Sequence, residues 1–163
     1  MSKWGLKWSS GEEYMFRGTS FHTLDDKGRI IIPSRFKGEL GCRGIADRFF
    51  LTFLDGGLMA YPTGEWETLE KRILDRTETS PALWRFKRYF IGSAVECQLD
   101  RQSRVVIPQT LKEQADLDKE IVLVGVLNRF EIWSKEMWEN NGRKLDEDML
   151  QEEVLKEIRS LGI

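Results

Sequence analysis

One short segment occurs twice in this chain of 163 residues, and the repetition constrains the fold more than any other feature. The first copy reads LDDKGRIIIPSRF at 24–36, and the second reads LDRQSRVVIPQTL at 99–111. Beyond the motif, FFLTFLDGGLMAYPTGEW lines up with EIVLVGVLNRFEIWSKEMW, so that Tyr61 matches Trp133. Because internal repetition decides an architecture, we expect two copies of one structural unit.

Each copy predicts the same order of elements: a strand near 16–23 or 94–99, a tight turn, a short apolar strand, a short helix and a hairpin. The apolar strands RIIIP and RVVIP are β-branched and too short for helices, and the proline that ends each one suits the start of a helix. Strands this apolar make poor free edges, so we expect the two units to interleave and bury each other's strands. The predicted fold class is therefore β-rich α+β with flanking helices.

The hairpin turns are predicted where residues that tolerate positive φ lie between apolar runs, at Gly56-Gly57 and Asn128-Arg129. We expect Thr63 to cap the helix that follows the first hairpin and Ser134 to cap the helix that follows the second.

Two more helices are predicted outside the repeats. Ser80 followed by Pro81 is a favourable helix start, so the connection between the halves is expected to be helical. The acidic C-terminal segment LDEDMLQEEVLKEIRSLGI is predicted to form one helix that packs either on its own subunit, the favoured alternative, or on a neighbouring subunit. Its apolar stripe consists of Leu150, Val154, Ile158 and Leu161.

The composition excludes several classes of function. With 25 Lys plus Arg against 27 Asp plus Glu, the net charge is −2, so any binding to a nucleic acid would need a local basic patch. His22 is the only histidine, and Cys42 and Cys97 are the only cysteines, both expected to be buried and reduced. We expect no metal, no cofactor and no enzyme activity, because no ligand cluster, activated nucleophile or phosphate loop is present in the sequence. No apolar run would span a bilayer or act as a signal peptide, so we expect a cytoplasmic protein without a membrane partner.

The turn inside the first repeat is a candidate site. Asp25 can accept hydrogen bonds from the turn's amides, Gly28 permits positive φ, and Arg29 lies within ion-pair reach of Asp25. Alone, such a turn is a structural feature. Four positive charges nevertheless gather around it, which predicts a patch that faces phosphates: Lys27, Arg29, Arg35 and Lys37.

The second repeat keeps the aspartate and the arginine at the same spacing although the residues between them differ. Asp100 and Arg104 correspond to the first pair, and Arg101 adds a charge inside the turn. Two such turns on interleaved units would lie on one face with approximate two-fold symmetry, which suits a DNA duplex.

At these residues the chain resembles the MraZ family of bacterial transcriptional regulators, whose members carry two Asp-x-x-x-Arg motifs in tandem. The motifs here are DDKGR at 25–29 and DRQSR at 100–104, and MFRG at 15–18 resembles the family's usual opening. GRIIIPSRFKGELG also resembles the wider swapped-hairpin, AbrB-like class of DNA-binding domains. The resemblance covers residues 15 to about 140.

The resemblance implies an internal pseudo-dimer of two swapped-hairpin, AbrB-like units and a ring of subunits, an octamer. It also implies binding to repeated short double-stranded DNA sites in the promoter of the operon for cell division and peptidoglycan synthesis. The implied action is repression that includes the protein's own gene, in the cytoplasm and at the nucleoid.

Carried over to this sequence, the resemblance makes Arg29 the first choice for DNA contact, with Lys27 beside it, and makes Arg104 its counterpart. Ser103 stands where the motif more often has glycine. Because serine at positive φ costs of order 1 kcal/mol, we expect a reshaped second turn that is mainly structural and contacts DNA less than the first.

The repeats and the resemblance together predict five segments. Residues 1–14 precede the family's usual start at Met15 and are expected to form a poorly ordered extension. The other segments are a first AbrB-like repeat at 15–79, a connecting helix at 80–93, a second repeat at 94–142 and a C-terminal acidic helix at 143–163.

Two other functions compete with DNA binding. The first is a ring-forming scaffold for another protein, in which the basic turns serve only assembly. Salt would separate the two functions, because binding through phosphates weakens steeply with ionic strength and apolar assembly does not. RNA binding ranks third, because the basic turns lack the aromatic platform on which unstacked bases pack.

Overall fold

The structure is a computed structural model that describes residues 15–77 and 80–163. The extension predicted at 1–14 lies outside the described residues. The first half contains six elements: β1 (Phe16–Thr23), β2 (Arg29–Ile31), α1 (Ser34–Cys42), β3 (Arg48–Leu54), β4 (Gly57–Pro62) and α2 (Thr63–Asp75).

The second half repeats this order after a connecting helix, α3 (Pro81–Gly92). Its elements are β5 (Val95–Gln98), β6 (Arg104–Val106), α4 (Gln109–Gln114), β7 (Glu120–Leu127), β8 (Arg129–Ser134) and α5 (Lys135–Asp148). A final helix, α6 (Glu152–Arg159), follows.

Six strands form one antiparallel sheet in which the halves exchange their first strands. The order across the sheet is β1-β7-β8-β4-β3-β5. Strand β1 of the first half pairs with β7 of the second half, and β5 of the second half pairs with β3 of the first. The order reads the same from either edge once the halves are interchanged, which is the pseudo-two-fold arrangement of two swapped units. The predicted α+β fold with interleaved units is confirmed.

Strands β2 and β6 form a separate two-stranded ribbon across the same pseudo-axis. The antiparallel partners are Arg29 with Val106, Ile30 with Val105, and Ile31 with Arg104. Ile30 and Val105 are only 1% and 2% exposed. Because side chains alternate along a strand, the remaining four side chains of the ribbon face outward.

The sheet is covered on both faces. On one face, the ribbon and helices α1 and α4 close a core that contains Phe36, Phe49 and Leu111 together with both central ribbon residues. On the other face, helices α2, α3 and α5 cover a second core around Trp66, Phe90 and Trp133. The inner face of the ribbon therefore packs on core side chains that come from both halves.

Both hairpin turns lie one residue earlier than predicted. In the first, the residues with positive φ are Asp55 and Gly56, and Gly57 already belongs to β4. In the second, Leu127 has φ 63, and Arg129 begins β8. The predictions failed because turn residues were chosen by type, whereas the strand register fixes the turn.

The helix starts are partly as predicted. The Oγ atoms of Ser80 and Ser134 accept hydrogen bonds from the amides of Leu83 and Met137, so both serines cap their helices. Thr63 does not, because its Oγ1 accepts instead from the amide of Ile45, 2.7 Å away, in the loop after α1. The prediction of a threonine cap was wrong because this tertiary contact uses the hydroxyl.

The C-terminal segment is not one helix, as predicted, but two. The chain leaves helical geometry at Gln151, which has φ −90 and ψ 126, between α5 and α6. The apolar stripe is therefore interrupted, and no residue of α6 is buried. Val154 and Ile158 of the stripe are half-buried on their own chain, whereas Leu150 and Leu161 are exposed, so the stripe packs on its own subunit only in part.

The two cysteines differ in environment. Cys97 is buried, and burial raises the pKa of its thiol to about 12, so it remains protonated. Cys42 at the end of α1 is exposed, which corrects the expectation that both cysteines are buried.

Candidate nucleic-acid interface

The first repeated turn is closed by Asp25. Its Oδ1 accepts hydrogen bonds from the amides of Lys27 and Arg29, both 2.9 Å away. Its Oδ2 accepts from Nε of Arg29 at 2.7 Å, and the amide of Gly28 donates to the carbonyl of Asp25. One carboxylate therefore fixes both the backbone of the turn and the position of the arginine.

The second turn has the same geometry. Oδ1 of Asp100 accepts from the amides of Gln102 and Arg104 at 2.9 Å, and Oδ2 accepts from Nε of Arg104 at 2.9 Å. The amide of Ser103 donates to the carbonyl of Asp100, as the amide of glycine does in the first turn.

Ser103 adopts the conformation of the glycine that it replaces. Its φ is 63, against 74 for Gly28. The expected reshaping of the second turn is therefore wrong: the serine accepts a left-handed conformation, and every hydrogen bond of the turn is kept. This removes the structural reason for ranking the first turn above the second.

The turns lower the pKa values of both aspartates. The amide of Arg29 lowers the pKa of Asp25 most and the amide of Arg104 that of Asp100; desolvation opposes the shift, and the side chain of the same arginine lowers each pKa further. Both pKa values lie below the ordinary value of 3.8, so both carboxylates are ionised at neutral pH. Since the folded pKa values are depressed, their stabilisation is present above about pH 4 and is lost as the pH falls through them.

The two arginines face outward on the ribbon and keep part of their binding capacity. The side chain of Arg29 is 25% exposed, and that of Arg104 is 29% exposed. Each uses Nε for its aspartate, and within the part of the chain that the structure describes the two Nη atoms make no further ion pair or hydrogen bond. A guanidinium held in this way presents its terminal nitrogens to a planar or bidentate acceptor such as phosphate or guanine.

Each turn also has a lysine from the opposite half beside it. Nζ of Lys37, on α1, donates to Oγ of Ser103 at 3.2 Å and lies 3.9 Å from Asp47. Nζ of Lys112, on α4, lies 3.4 Å from the position of a methyl group built on Gly28. The swap thus gives both turns an equivalent lysine, and this makes the two cationic sites alike.

The structure divides the four charges that the sequence places around the first turn. Lys27 and Arg29 belong to that turn, but Lys37 contacts the second turn. Arg35 lies elsewhere, with its guanidinium beside Gly18 of β1 and 5.1 Å from the ring centroid of Phe36. Arg101 is an exposed residue of the second turn.

Lys112 is the cation that the sequence reasoning missed. The repeat pairs Lys112 with Lys37 at an offset of 75, which was the available signal. Lys37 was assigned to the first motif, which is nearest in sequence, and Lys112 to neither, whereas the swap places each lysine beside the turn of the opposite half.

The described residues contain no group of three or more His, Cys, Asp and Glu side chains that could hold a metal ion. His22 on β1 contacts Oγ of Ser20 through Nε2 at 2.8 Å, and burial lowers the pKa of the imidazole. Across residues 15–77 and 80–163, no helix is long and apolar enough to cross a membrane.

Comparison with known proteins identifies the family. The family model described as "MraZ protein, putative antitoxin-like" matches residues 15–88 and again residues 90–157. The chain belongs to the MraZ family. The double match follows the two halves seen in the structure, and each MraZ match contains one of the two arginine-bearing turns.

Several curated relatives share this membership over most of their length. Transcriptional regulator MraZ of Desulforapulum autotrophicum is 46% identical over 149 residues, which is 91% of this chain and 100% of the relative. The protein of the same name from Desulfosudis oleivorans is 45% identical with the same coverage, and that from Thermoanaerobacter pseudethanolicus is 41% identical over 150 residues. MraZ proteins are transcriptional regulators, so the prediction that this chain is not an enzyme is confirmed.

Proposed function

We propose that this MraZ protein binds double-stranded DNA with the outer face of the β2–β6 ribbon and its two turns. Binding to short repeated promoter sites then represses the operon for cell division and cell wall synthesis, including the protein's own gene. The relatives' name, transcriptional regulator, supports the general role. The finer statements rest on the family resemblance and on the geometry of the turns.

One observation carries the proposal: the same arginine-presenting turn is built twice, at the two ends of one ribbon. The two turns share their hydrogen bonds although only the aspartate and the arginine are identical between them. A purely structural turn would not require an arginine whose terminal nitrogens are left without a partner in the described structure. Arg29 and Arg104 are the proposed principal contacts, and Lys27, Lys37, Arg101 and Lys112 are the proposed phosphate contacts.

Arg35 is the least favoured member of the predicted set. Its guanidinium packs beside Gly18 and over the ring of Phe36 rather than in a turn. Its proposed role is structural: it packs between β1 and α1 through these two contacts.

A single pair of turns contacts few phosphates, so its affinity for DNA is expected to be low. Several copies of the chain joined together would engage several repeats of the promoter at once, and effective concentration would then raise the avidity. The proposal therefore includes self-association into a ring, for which the family resemblance implies an octamer.

Two exposed surfaces of opposite charge support this self-association. Helix α3 carries three basic and no acidic residues and exposes the apolar side chains of Trp84, Phe86 and Tyr89. The segment 145–159, from the end of α5 through α6, carries six acidic and two basic residues, and it exposes Leu145, Met149 and Leu150. Such a pair of different surfaces joins copies head to tail, and a head-to-tail contact closes into a ring when its rotation permits.

The cellular location follows from the proposed role: the cytoplasm, at the nucleoid. The five-segment division of the chain stays a prediction. Each proposed repeat is a unit of sequence whose first strand pairs with a strand of the other repeat.

The proposal is tested by fluorescence anisotropy with a labelled duplex from immediately upstream of this gene and with a scrambled duplex, at two salt concentrations. Wild type is expected to bind the upstream duplex selectively. Arg29→Ala and Arg104→Ala are each expected to lose roughly fivefold or more in affinity, because an arginine contact to a base or phosphate contributes roughly 1–3 kcal/mol. The salt dependence of binding should fall with each phosphate contact removed.

Lys71→Ala is the matched control, because it removes one positive charge from α2 on the opposite face of the sheet and should leave affinity unchanged. Both arginine variants should remain folded, since ion pairs this exposed contribute little to stability. Equal, weak binding of wild type to both duplexes would overturn the proposal and favour the protein-scaffold function. Unfolding of the arginine variants would show that the ion pairs are structural.

A further inference from the structure

The outer face of the β2–β6 ribbon carries two exposed aliphatic side chains between its arginines. Ile31 is 57% exposed and Val106 is 56% exposed. Ile31 stands opposite Arg104, and Val106 stands opposite Arg29. The four side chains therefore form one surface in which two cations occupy one diagonal and two β-branched aliphatic groups occupy the other.

The core does not require these two residues. Their neighbours Ile30 and Val105 already fill the inner face of the ribbon. Single exposed aliphatic residues are common, but here the repeat places one at the same position in both halves, 75 residues apart. Both lie in the middle of the cationic surface that the turns and their lysines surround.

A two-stranded ribbon has the dimensions to enter the major groove of B-DNA, which is about 12 Å wide. Within that groove, thymine is the base that presents an apolar group, its C5 methyl. An aliphatic side chain held between two arginines would contact that methyl, while the arginines reach phosphates or guanine. Desolvating the methyl and the side chain together is favourable, so this contact discriminates thymine from the other bases.

We propose that Ile31 and Val106 read thymine methyl groups in the major groove. This inference rests on the proposed DNA binding and deepens it by assigning specificity to residues outside the Asp-x-x-x-Arg motifs. Diagonal neighbours on a ribbon lie roughly 7–8 Å apart, and successive bases of one strand lie about 3.4 Å apart. The two thymines are therefore expected about two base-pair steps apart.

The test replaces thymine by deoxyuridine, which lacks only the methyl group, at single positions of the upstream duplex. Wild-type protein should lose roughly three- to fivefold in affinity at each of two positions. Ile31→Ser should bind the normal duplex more weakly and become insensitive to deoxyuridine at one of these positions, and Val106→Ser should do the same at the other. Ile31→Val retains an aliphatic group and should retain the sensitivity.

Val126→Ser on β7 is the control variant, because this valine is exposed but lies outside the ribbon. It should keep the full deoxyuridine response. The inference is overturned if the serine variants in the ribbon respond to deoxyuridine as strongly as wild type does. It is also overturned if they change only the size of the assembly in sedimentation, which would place the aliphatic pair in a contact between copies.

Failure of the inference is distinguishable from failure of the proposed function. Selective binding that depends on both arginines but not on thymine methyl groups would preserve the function and remove the role of the aliphatic pair. Absence of selective binding by wild type would remove both.

Discussion

At the scale of single residues, the two turns differ most in the residue that takes positive φ. Glycine adopts this conformation freely, whereas serine in the left-handed region is strained. The structure gives Gly28 and Ser103 nearly the same φ, so exchanging their types has opposite expected effects in the two turns.

Gly28→Ala is predicted to destabilise the fold by about 1 kcal/mol, and Ser103→Gly is predicted to stabilise it by about 0.5–1 kcal/mol. Urea unfolding monitored by tryptophan fluorescence measures both changes. Gly38→Ala is the comparison variant: a methyl group there meets nothing within 4 Å and the residue lies within α1, so it should stabilise the fold by roughly 0.5–1 kcal/mol. Equal effects of both substitutions in the two turns would contradict the assigned conformations.

The sequence was sufficient to predict the role of the turn aspartates, since an aspartate can bond to amides two and four residues later without any tertiary contact. The location of Lys37 and Lys112 was not predictable in this way. Each lysine reaches a turn of the opposite half, and that contact exists only because β2 pairs with β6.

At the scale of the elements, the ribbon has two strands of three residues each, with one buried face and one exposed face. Ile30 packs in the core, whereas its neighbour Ile31 faces outward. Ile30→Ala is predicted to destabilise the fold by about 2–4 kcal/mol, and Ile31→Ala by less than about 0.5 kcal/mol. Chemical denaturation of both variants is the measurement. Similar losses would show that the ribbon is oriented differently or is covered in solution.

The split between α5 and α6 shows where apolar periodicity is insufficient. The stripe of leucine, valine and isoleucine continues through the break, so it predicts one helix. Charge opposes this, because Asp146, Glu147 and Asp148 lie at the C-terminal end of α5, where the helix dipole disfavours anions. Glu152 and Glu153 lie in the first turn of α6, where the same dipole favours them.

At the scale of the whole molecule, the repeat was sufficient to predict that the halves interleave but not which strands they exchange. The apolar strands β2 and β6 need a pairing partner, but their sequence does not specify which strand that is. The pairing of β1 with β7 and of β5 with β3 depends on the lengths of the connections and on the two-sided core, which no local pattern encodes.

The proposed head-to-tail contact predicts the behaviour of the assembly. Replacing Arg85 and Arg88 of α3 by glutamate should reduce the assembly to smaller species in analytical ultracentrifugation, because both joined surfaces would then be acidic. Adding Glu152→Lys and Glu153→Lys in the same chain should restore larger species. Replacing Glu67 and Glu70 of α2 by lysine in place of the α6 pair is the control and should restore nothing. If the α3 variant keeps the wild-type size, α3 is not the contact.

The exchange of strands also has a consequence for the symmetry of the proposed DNA-binding surface. A dimer of separate, identical chains carries two identical turns and is matched by a palindrome. Here one chain supplies both turns, and their sequences, DDKGR and DRQSR, differ although one ribbon holds them in a fixed relation. The proposed DNA-binding surface therefore has a polarity, and we expect an operator that binds it to need a defined orientation but no two-fold symmetry.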